Sequence, residues 1–384
     1  MFSRRSAHDL SPNRLSLAVA ARRANGAELL DLTVSNPTRA GIPYAPNVAS
    51  ALARSDEVLS YEPDPFGLPA ARAAVSELWR ERGLVVPPER VALTASTSEA
   101  YAFVFKLLCD PGDQVLVPAP SYPLLEHLGA LESVELVPYR LGYDGAWFID
   151  VNEVRARVTE RTRAIVLVSP NNPTGTYLKR DELARLAALG LPLVSDEVFG
   201  DYPFGEDARR ARSVLEADGG LVIALDGLSK AAALPQMKLA WLTLGGAPEL
   251  VTAALGRLEV ALDAFLSPST PVQRALPELL ATRGTAAGAV RARVRANLTS
   301  VRALCEGEPV SLLPVEGGWY AVLRLPATAT DEEWALRALA AGVLVQPGYF
   351  FDFADEPHAV VSLLTPAAPF ERGIRALVAL AREA

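Results

Sequence analysis

Short apolar segments alternate with helix-like segments from about residue 88 to residue 245, and this alternation constrains the fold more than any other feature. The strand-like segments are RVALTAS, DQVLVPAP, VELVPYRL, RAIVLVSP, LPLVSDEV, LVIALDG and LAWLTLGG. Between some of them lie segments with helical periodicity, namely SEAYAFVFKLLCD, VNEVRARVTE and RDELARLAALG. Nearly continuous apolar strands separated by helices are typical of a mostly parallel sheet that is covered on both faces. We therefore predict an α/β fold with a central sheet between helices.

The sequence after residue 245 changes character and predicts a second, smaller domain. Long helical segments come first, ELVTAALGRLEVALDAFL and TAAGAVRARVRANLTSVRALCEG. The strand-like segments VSLLPV, GGWYAVLRLP, GVLVQPG and HAVVSLLTP follow, with the helical segments TDEEWALRALAA and FERGIRALVALAREA. We expect an α+β domain, with the N-terminal helix and LLDLTVSNPT packed onto it or lining the seam. The expected limits are 45–270 for the large domain, and 1–44 with 271–384 for the small domain, its N-terminal arm and a connecting helix.

The composition narrows the classes of function. Of the 384 residues 50% are hydrophobic, which suits a large core, and the net charge of -8 leaves no basic face for nucleic acid. No apolar run reaches the roughly 20 residues that cross a bilayer, and the N-terminal segment resembles a capped helix more than a targeting peptide. Cys109, Cys305 and the scattered histidines show no metal-ligand spacing. We expect a cytoplasmic protein that binds no nucleic acid, membrane or metal.

Polar residues follow several of the predicted strands, where sheets of this kind bind their ligands. Ser96, Thr97 and Ser98 stand between a strand and a helix, and hydroxyl and N–H groups at a helix N-terminus suit a phosphate. A plain N-cap, with Glu99 as its capping-box acid, explains the same residues. Asn172 stands in the turn SPNNPTGTYL, where its amide can reach over the strand ends or serve the turn alone.

Charged residues follow two further strands. Asp196 ends a buried strand, so it is either paired within the protein or holds a heterocyclic nitrogen in its protonated state. Lys230 and Lys238 lie in the apolar segment LDGLSKAAALPQMKLAWL, where an ammonium needs a partner and a neutral amine can act as a nucleophile. A phosphate cradle, an amide, a carboxylate and an amine together match the needs of pyridoxal phosphate.

These motifs resemble the class I/II aminotransferases of fold type I over nearly the whole chain, from DLTVSNPT to HAVVSLLTP. The motifs are YEPDPFGLPAARAAV, TASTSEAYAF, PAPSYPLLE, SPNNPTGTYL, SDEVFGDY, GLSKAAALPQMKLAWL and GGWYAVLRLP. The resemblance implies a large domain with a mostly parallel sheet, a smaller α+β domain, pyridoxal 5'-phosphate as the cofactor, and a homodimer with shared active sites. It implies transfer of an amino group from an amino acid or amine to a 2-oxo acid.

The resemblance also implies a role for individual residues. Lys230 would form the aldimine with the cofactor and move the substrate proton, and Asp196 would pair with the pyridine nitrogen. Asn172 would contact the ring oxygen, and Tyr122 would stack on the ring. The residues implied around the phosphate are Ser96, Thr97, Ser98, Lys238 and, lent to the neighbouring subunit, Tyr61.

Several positions depart from the family's pattern. Lys238 stands where an arginine usually grips the phosphate, and a lysine lacks the bidentate fork. Gly227 stands where a phosphate-binding serine is frequent. Phe199 stands where a tyrosine usually donates to the ring oxygen, and loss of that donor would raise the pKa of the aldimine. Tyr202, one turn on, is a candidate replacement.

The largest departure concerns the substrate. The family's arginine for the α-carboxylate falls on Val360, or on Val361 with a shift of one residue. Either Arg39, with Ser35 in the same segment, binds the substrate instead, or the substrate is not an ordinary α-amino acid. Arg39 is equally explained as a surface charge. The aromatic segment PGYFFDF is either a pocket for the substrate side chain or part of the small-domain core.

Other functions remain possible on the same residues. A lyase that eliminates at a C–S bond, a decarboxylase or an oxidase would use the same cofactor, Lys230 and Asp196. A non-catalytic sensor that binds the cofactor or an amine is a further alternative.

Overall fold

The computed structural model describes residues 2–7, 9–53, 56–354 and 357–384, and for residues 56 and 57 the backbone alone. The helices are α1 Arg14–Ala24, α2 Val48–Ala51, α3 Pro69–Glu81, α4 Thr97–Leu108, α5 Leu124–Glu132, α6 Val151–Arg157, α7 Arg180–Ala187, α8 Leu228–Ala231, α9 Pro248–Phe265, α10 Thr270–Ala281, α11 Gly284–Cys305, α12 Asp331–Ala340 and α13 Ala367–Arg382. The strands are β1 Leu30–Asp31, β2 Val91–Thr94, β3 Gln114–Ala119, β4 Glu135–Tyr143, β5 Trp147–Ile149, β6 Thr162–Val168, β7 Leu193–Asp196, β8 Leu221–Gly227, β9 Ala240–Gly246, β10 Ser311–Leu312, β11 Tyr320–Arg324, β12 Val343–Leu344, β13 Gln346–Pro347 and β14 His358–Ser362.

The large domain is built on an eight-stranded sheet in the order β2-β9-β8-β7-β6-β3-β4-β5. The neighbouring strands from β8 to β4 are parallel, whereas β9 runs antiparallel to both β2 and β8, and β5 antiparallel to β4. The predicted mostly parallel central sheet is therefore confirmed.

Helices cover both faces of this sheet, which is why its strands are apolar throughout. On β6, Ile165 and Leu167 join the core beneath α3, α6, α7 and α10. The alternate residues Ala164 and Val166 join the core beneath α4, α5 and α9. Because successive side chains of a strand point to opposite faces, each residue of such a strand must be apolar.

The small domain combines an antiparallel sheet, in the order β10-β11-β14-β13, with the parallel pair of β1 and β12. Its core includes Leu15 of α1 and Leu32 after β1, so the N-terminal segment packs onto this domain as predicted. The core resumes at Ala286 of α11, whereas Leu276 and Leu279 of α10 belong to the large-domain core. We keep the limits near residues 45 and 270 as a proposal, with α10 as the connecting helix.

Six strands point their carboxyl ends at the same edge of the large sheet. The strands β3, β4, β6, β7 and β8 are parallel, and β2 has the same direction because it is antiparallel to β9, which is antiparallel to β8. The residues that follow these strands therefore meet at one edge, next to the small domain. Within the described residues, no helix is both long and apolar enough to cross a membrane, and no cluster of three or more histidine, cysteine or acidic side chains is placed to hold a metal.

Candidate active site

A cleft of about 240 Å³ opens at this edge of the sheet, between the large domain and residues of the small domain. The predicted site residues that line it are Ser35, Thr97, Ser98, Tyr122, Asn172, Asp196 and Lys230. The predicted residues Ser96, Lys238, Tyr61 and Arg39 do not line it. The fold therefore brings together in one place predicted residues from the ends of β2, β3, β6, β7 and β8.

Lys230 lies in α8, directly after β8, and is a partly buried residue that lines the cleft. Burial lowers the pKa of this amine to about 8, and the carboxylate of Asp196 partly opposes the change. Its Nζ lies 5.5 Å from the ring centroid of Phe199 and 4.9 Å from that of Trp319. The neutral amine, which a nucleophile or proton acceptor requires, is therefore far more populated near neutral pH than in an ordinary lysine, although the ammonium is still the main form.

Asp196 ends β7 and is held between Val168 of β6 and Leu225 of β8. The N–H of Val198 donates to its Oδ1 at 3.2 Å, and the hydroxyl of Tyr101 donates to its Oδ2 at 3.4 Å. Burial raises the pKa of Asp196 to about 6, an effect that these donors partly offset. At neutral pH the group is mostly a carboxylate, and its long bond to Tyr101 leaves it able to accept from a cationic N–H in the cleft.

Asn172 follows β6 and is 8% exposed, yet its Oδ1 has no hydrogen-bond partner among the described residues. Ser121 also lines the cleft, and its buried Oγ likewise has no hydrogen-bond partner among the residues that the structure describes. A buried polar atom without a partner costs free energy, so such atoms usually serve a ligand or water. Two of them in one cleft fit a polar ligand, and the amide of Asn172 can present either an acceptor or a donor.

The start of α4 shows that the two explanations of the TASTSEA motif are compatible. The hydroxyl of Ser96 accepts the N–H of Glu99 at 3.1 Å, and the Glu99 carboxylate accepts the N–H of Ala95 at 2.5 Å, so these residues form a helix cap. The helical hydrogen bonds begin with Ala100, whose N–H donates to the carbonyl of Ser96. Thr97 and Ser98 line the cleft, and the first N–H groups of a helix suit an anion such as phosphate.

Lys238 and Gly227 lie around the turn that carries Lys230. Lys238 has a left-handed backbone conformation, with φ of 51°, and its side chain is exposed outside the cleft. A Cβ atom on Gly227 would lie 2.8 Å from the Cβ of Ala240 and 3.0 Å from its Cα. The close approach of β9 therefore excludes a side chain at position 227, including the serine that is frequent in the family.

Replacing Gly227 by serine is expected to lower the free energy of unfolding by about 1–3 kcal/mol, because Ala240 and the backbone of β9 must move. Urea unfolding followed by circular dichroism measures the change. The matched control is Gly256→Ser in α9, where a Cβ meets no atom within 4 Å and the change should stay within about 0.5 kcal/mol. Equal stability of the two variants would contradict the account of this turn.

Phe199 lines the cleft, and no hydroxyl is available from Tyr202 to replace the missing donor. The hydroxyl of Tyr202 donates to the backbone carbonyl of Lys230 at 2.6 Å, and Tyr202 itself is buried outside the cleft. Its role in this structure is to hold the chain at Lys230 rather than to face a ligand.

The residues predicted for the substrate divide between the cleft and the surface. Ser35 lines the cleft, whereas Arg39 is exposed and outside it. Val360 is completely buried in an apolar cluster with Leu313 and Val322, so the sheet of the small domain presents no charge at this position.

The segment PGYFFDF packs within the small domain beside the cleft and does not line it. Phe351 is buried in the same cluster as Val360, and its carbonyl accepts the N–H of Ser121 at 2.9 Å. Phe353 stacks on His358, with ring centroids 4.5 Å apart. The segment thus serves packing, and it supports the rim of the cleft at Ser121.

Two tyrosines of the cleft were missed from the sequence. Tyr101 follows Thr97 by one helical turn in α4, a spacing that places both on one face of the helix. Tyr320 starts β11, and burial raises its pKa to about 12, against a hydrogen bond with Ser35 that lowers it. The helical spacing from Thr97 could have identified Tyr101 from the sequence. Tyr320 comes from the other domain, and no local pattern marks it.

Comparison with known proteins places the chain in a family. A family model of class I and II aminotransferases matches residues 27–367. The probable aspartate/prephenate aminotransferase of Thermus aquaticus is 32% identical over 366 residues, which cover 91% of this chain and 92% of that protein. Glutamate-pyruvate aminotransferase AlaA of Escherichia coli (strain K12) is 29% identical over 260 residues, 66% of this chain, and the match spans only 64% of its length.

The fold has a clear counterpart among solved structures. Alanine aminotransferase from Pyrococcus furiosus matches with a TM-score of 0.90 over 100% of both chains. The sequence identity is 24%, so this match is evidence for the fold alone. The family match covers most of the chain, and residues from most of the motifs that suggested it line one cleft. The chain therefore belongs to the class I and II aminotransferases.

Proposed function

We propose that the protein binds pyridoxal 5'-phosphate in this cleft and transfers an amino group from an amino acid or amine to a 2-oxo acid. The observation that carries the proposal is the meeting of the Lys230 amine and the Asp196 carboxylate in one cleft. When bound, the cofactor supplies an electron sink that stabilises negative charge at the substrate Cα.

The residues of the cleft have separate roles in this proposal. Lys230 would hold the cofactor through its Nζ, and the same Nζ would take the proton from the substrate Cα and return it to the product. Asp196 would hold the ring nitrogen in its protonated state, and the Asn172 amide would serve the ring oxygen. The helix start at Thr97 and Ser98 binds the phosphate.

We further propose a cytoplasmic homodimer in which each subunit completes the site of the other. Tyr61 is 74% exposed and lies outside the cleft of its own chain, as a residue lent to a partner subunit would. Arg39 and Lys238 are also exposed, and they are the candidates for binding the substrate and the phosphate from the rim. Small-molecule amines and 2-oxo acids are the expected partners, together with the second copy of the chain.

The rate at which the cofactor-free chain captures pyridoxal phosphate is expected to rise with pH, with a midpoint near 8. The reason is that Lys230 attacks as the neutral amine, and its pKa of about 8 makes the neutral form dominant above that value. Stopped-flow absorbance of the cofactor gives the rate at each pH. A profile that is flat between pH 6.5 and about 9.5 would mean that this amine is not the attacking group.

A half-reaction tests the proposed activity. The chain loaded with cofactor is mixed with single donors, namely glutamate, aspartate, alanine, benzylamine and S-methylcysteine, which alone carries a C–S bond that a lyase can break, and the cofactor absorbance and the keto product are followed. Stable conversion to pyridoxamine phosphate supports transamination, and release of ammonia with pyruvate supports the lyase alternative. Binding of cofactor without turnover of any donor would favour the sensor.

The same panel locates the carboxylate anchor. Conversion of the α-amino acids would mean that a group such as Arg39 replaces the arginine missing at Val360. Conversion of benzylamine alone would mean that Val360 marks a change of substrate class.

A further inference from the structure

Aromatic rings from both domains lie next to the amine of Lys230. The indole of Trp319, from the small domain, is completely buried and has its ring centroid 4.9 Å from Nζ. Phe199, from the large domain, is 6% exposed, and its ring centroid lies 5.5 Å from Nζ. The two rings meet edge to face, with centroids 5.4 Å apart. We call Phe199 and Trp319 the aromatic slot.

The chain around Lys230 is tied to the same rings. Tyr202 packs edge to face on Trp319, with centroids 5.2 Å apart, and its hydroxyl donates to the backbone carbonyl of Lys230 at 2.6 Å. A single tyrosine thus fixes both the backbone that carries the amine and the indole beside it.

The backbone around Trp319 is held by contacts with both domains. The N–H of Gly318 donates to the carbonyl of Tyr202 at 3.0 Å, and the N–H of Leu363, after β14, donates to the carbonyl of Trp319 at 2.8 Å. A Cβ atom on Gly317 would lie 2.7 Å from the carbonyl oxygen of Tyr202. The turn before Trp319 therefore lies at backbone contact with the large domain, and no larger residue at position 317 would allow it.

Packing alone holds the indole. The Nε1 of Trp319 is buried and has no hydrogen-bond partner among the described residues. By contrast, Trp334 in the same domain is equally buried, and its Nε1 donates to the carbonyl of Pro326 at 2.9 Å. A buried N–H without a partner is costly, and its retention beside the amine points to a role of the ring there.

The aromatic slot has two effects on the amine. The ring faces attract an ammonium, which raises the pKa of the amine, and their bulk keeps water away from it, which lowers the pKa. Because the pKa of Lys230 lies below that of an ordinary lysine, the exclusion of water is the larger effect. The titratable side chains that line the same cleft are Asp196 of β7, Tyr101 of α4, Tyr122 and Tyr320 of β11. Of these, the Asp196 carboxylate is the group that acts on the charge of Lys230, so water exclusion and this carboxylate set the balance.

We propose that Trp319 is a positioning residue for Lys230, and that through it the small domain forms one wall of an aromatic slot that keeps the reacting amine fixed and dry. This inference rests on the proposed function to the extent that Lys230 is the reacting amine. It places a residue outside the set of predicted cofactor partners in control of how that amine is solvated.

The test titrates the Lys230 amine itself in the full chain without cofactor. Lys106, Lys179, Lys230 and Lys238 are the only lysines of the sequence, so ε-¹³C-lysine labelling gives a simple spectrum, and Lys230→Arg assigns the signal. Trp319→Leu should raise the pKa of Lys230 by about one unit, because water reaches the amine where the indole stood. Trp319→Phe keeps a ring and should raise it less, and Trp334→Phe, the matched control, should leave it unchanged.

Two results would overturn the inference. One is a folded Trp319→Leu variant, judged by circular dichroism, with the Lys230 pKa of the parent chain. The other is the same change in Trp334→Phe, which would assign the effect to general loosening. If Trp319→Leu does not fold, the comparison of Trp319→Phe with Trp334→Phe decides, since equal values contradict the slot.

The titration tests the aromatic slot and the half-reaction tests the proposed function, so either can fail without the other. A raised pKa in Trp319→Leu with no turnover of any donor by the parent chain would uphold the slot and refute the proposed function. Turnover by the parent chain with an unchanged pKa in the variant would do the reverse.

Discussion

Replacing Lys230 by alanine is expected to slow the half-reaction with amino donors by about 1,000-fold or more. The variant loses both the covalent anchor of the cofactor and the amine that moves the substrate proton, and no other lysine lines the cleft among the described residues. The rate is measured in single-turnover experiments that follow the cofactor absorbance at saturating cofactor.

The control for this variant is Lys106→Ala. Lys106 lies in α4 and pairs with Glu132 at 2.5 Å, away from the cleft, so its loss should leave the rate within about twofold. A Lys230→Ala variant that keeps more than about a tenth of the rate would show that another group moves the proton.

Replacing Asp196 by asparagine is expected to slow the same half-reaction by about 100-fold to 1,000-fold, because the amide cannot hold the ring nitrogen protonated. The pKa of Lys230 should fall below about 8 in this variant, since the Asp196 carboxylate raises it in the parent chain. The pH midpoint of cofactor capture should therefore move down while the half-reaction slows. If the half-reaction slowed only because Lys230 was more protonated, the midpoint would instead move up. A lower midpoint together with a slower half-reaction therefore indicates loss of the electron sink.

The neighbouring carboxyl group offers a matched control. Glu197 is buried, accepts the N–H of Val214 at 2.8 Å and does not line the cleft, and burial raises its pKa to about 7. Glutamine resembles its protonated form, so Glu197→Gln should keep most of the activity. A loss as large as that of Asp196→Asn would mean that any change at the end of β7 disturbs the site.

The sequence predicted the fold well because most of its strands are apolar along their whole length. That pattern reports burial on two faces, as Ala164 to Leu167 of β6 show, but it does not report direction. The antiparallel course of β9 was therefore not foreseen, since its residues are as buried as those of the parallel strand β8 beside it.

The residues of the cleft were predictable where they lie at the end of a strand or just after it. Asp196 and Lys230 were found in this way, because the sheet converts order along the chain into proximity at one edge. Tyr320 and Trp319 come from the small domain, and their approach depends on how two domains dock, which no local pattern records. Arg39 was proposed from its place in a motif, and in the single chain its side chain is exposed. It is therefore either a residue that acts at the site of a partner subunit, as proposed above, or a solvated surface charge.

The most direct test of the central claim is to follow the amino nitrogen. The loaded protein is incubated with ¹⁵N-glutamate and pyruvate, and in parallel with ¹⁵N-aspartate and 2-oxoglutarate, and the products are analysed by NMR. The account predicts that the label appears in the amino acid formed from the added 2-oxo acid, and that Lys230→Ala abolishes this transfer. Label found in free ammonia instead, with none in a new amino acid, would contradict transamination.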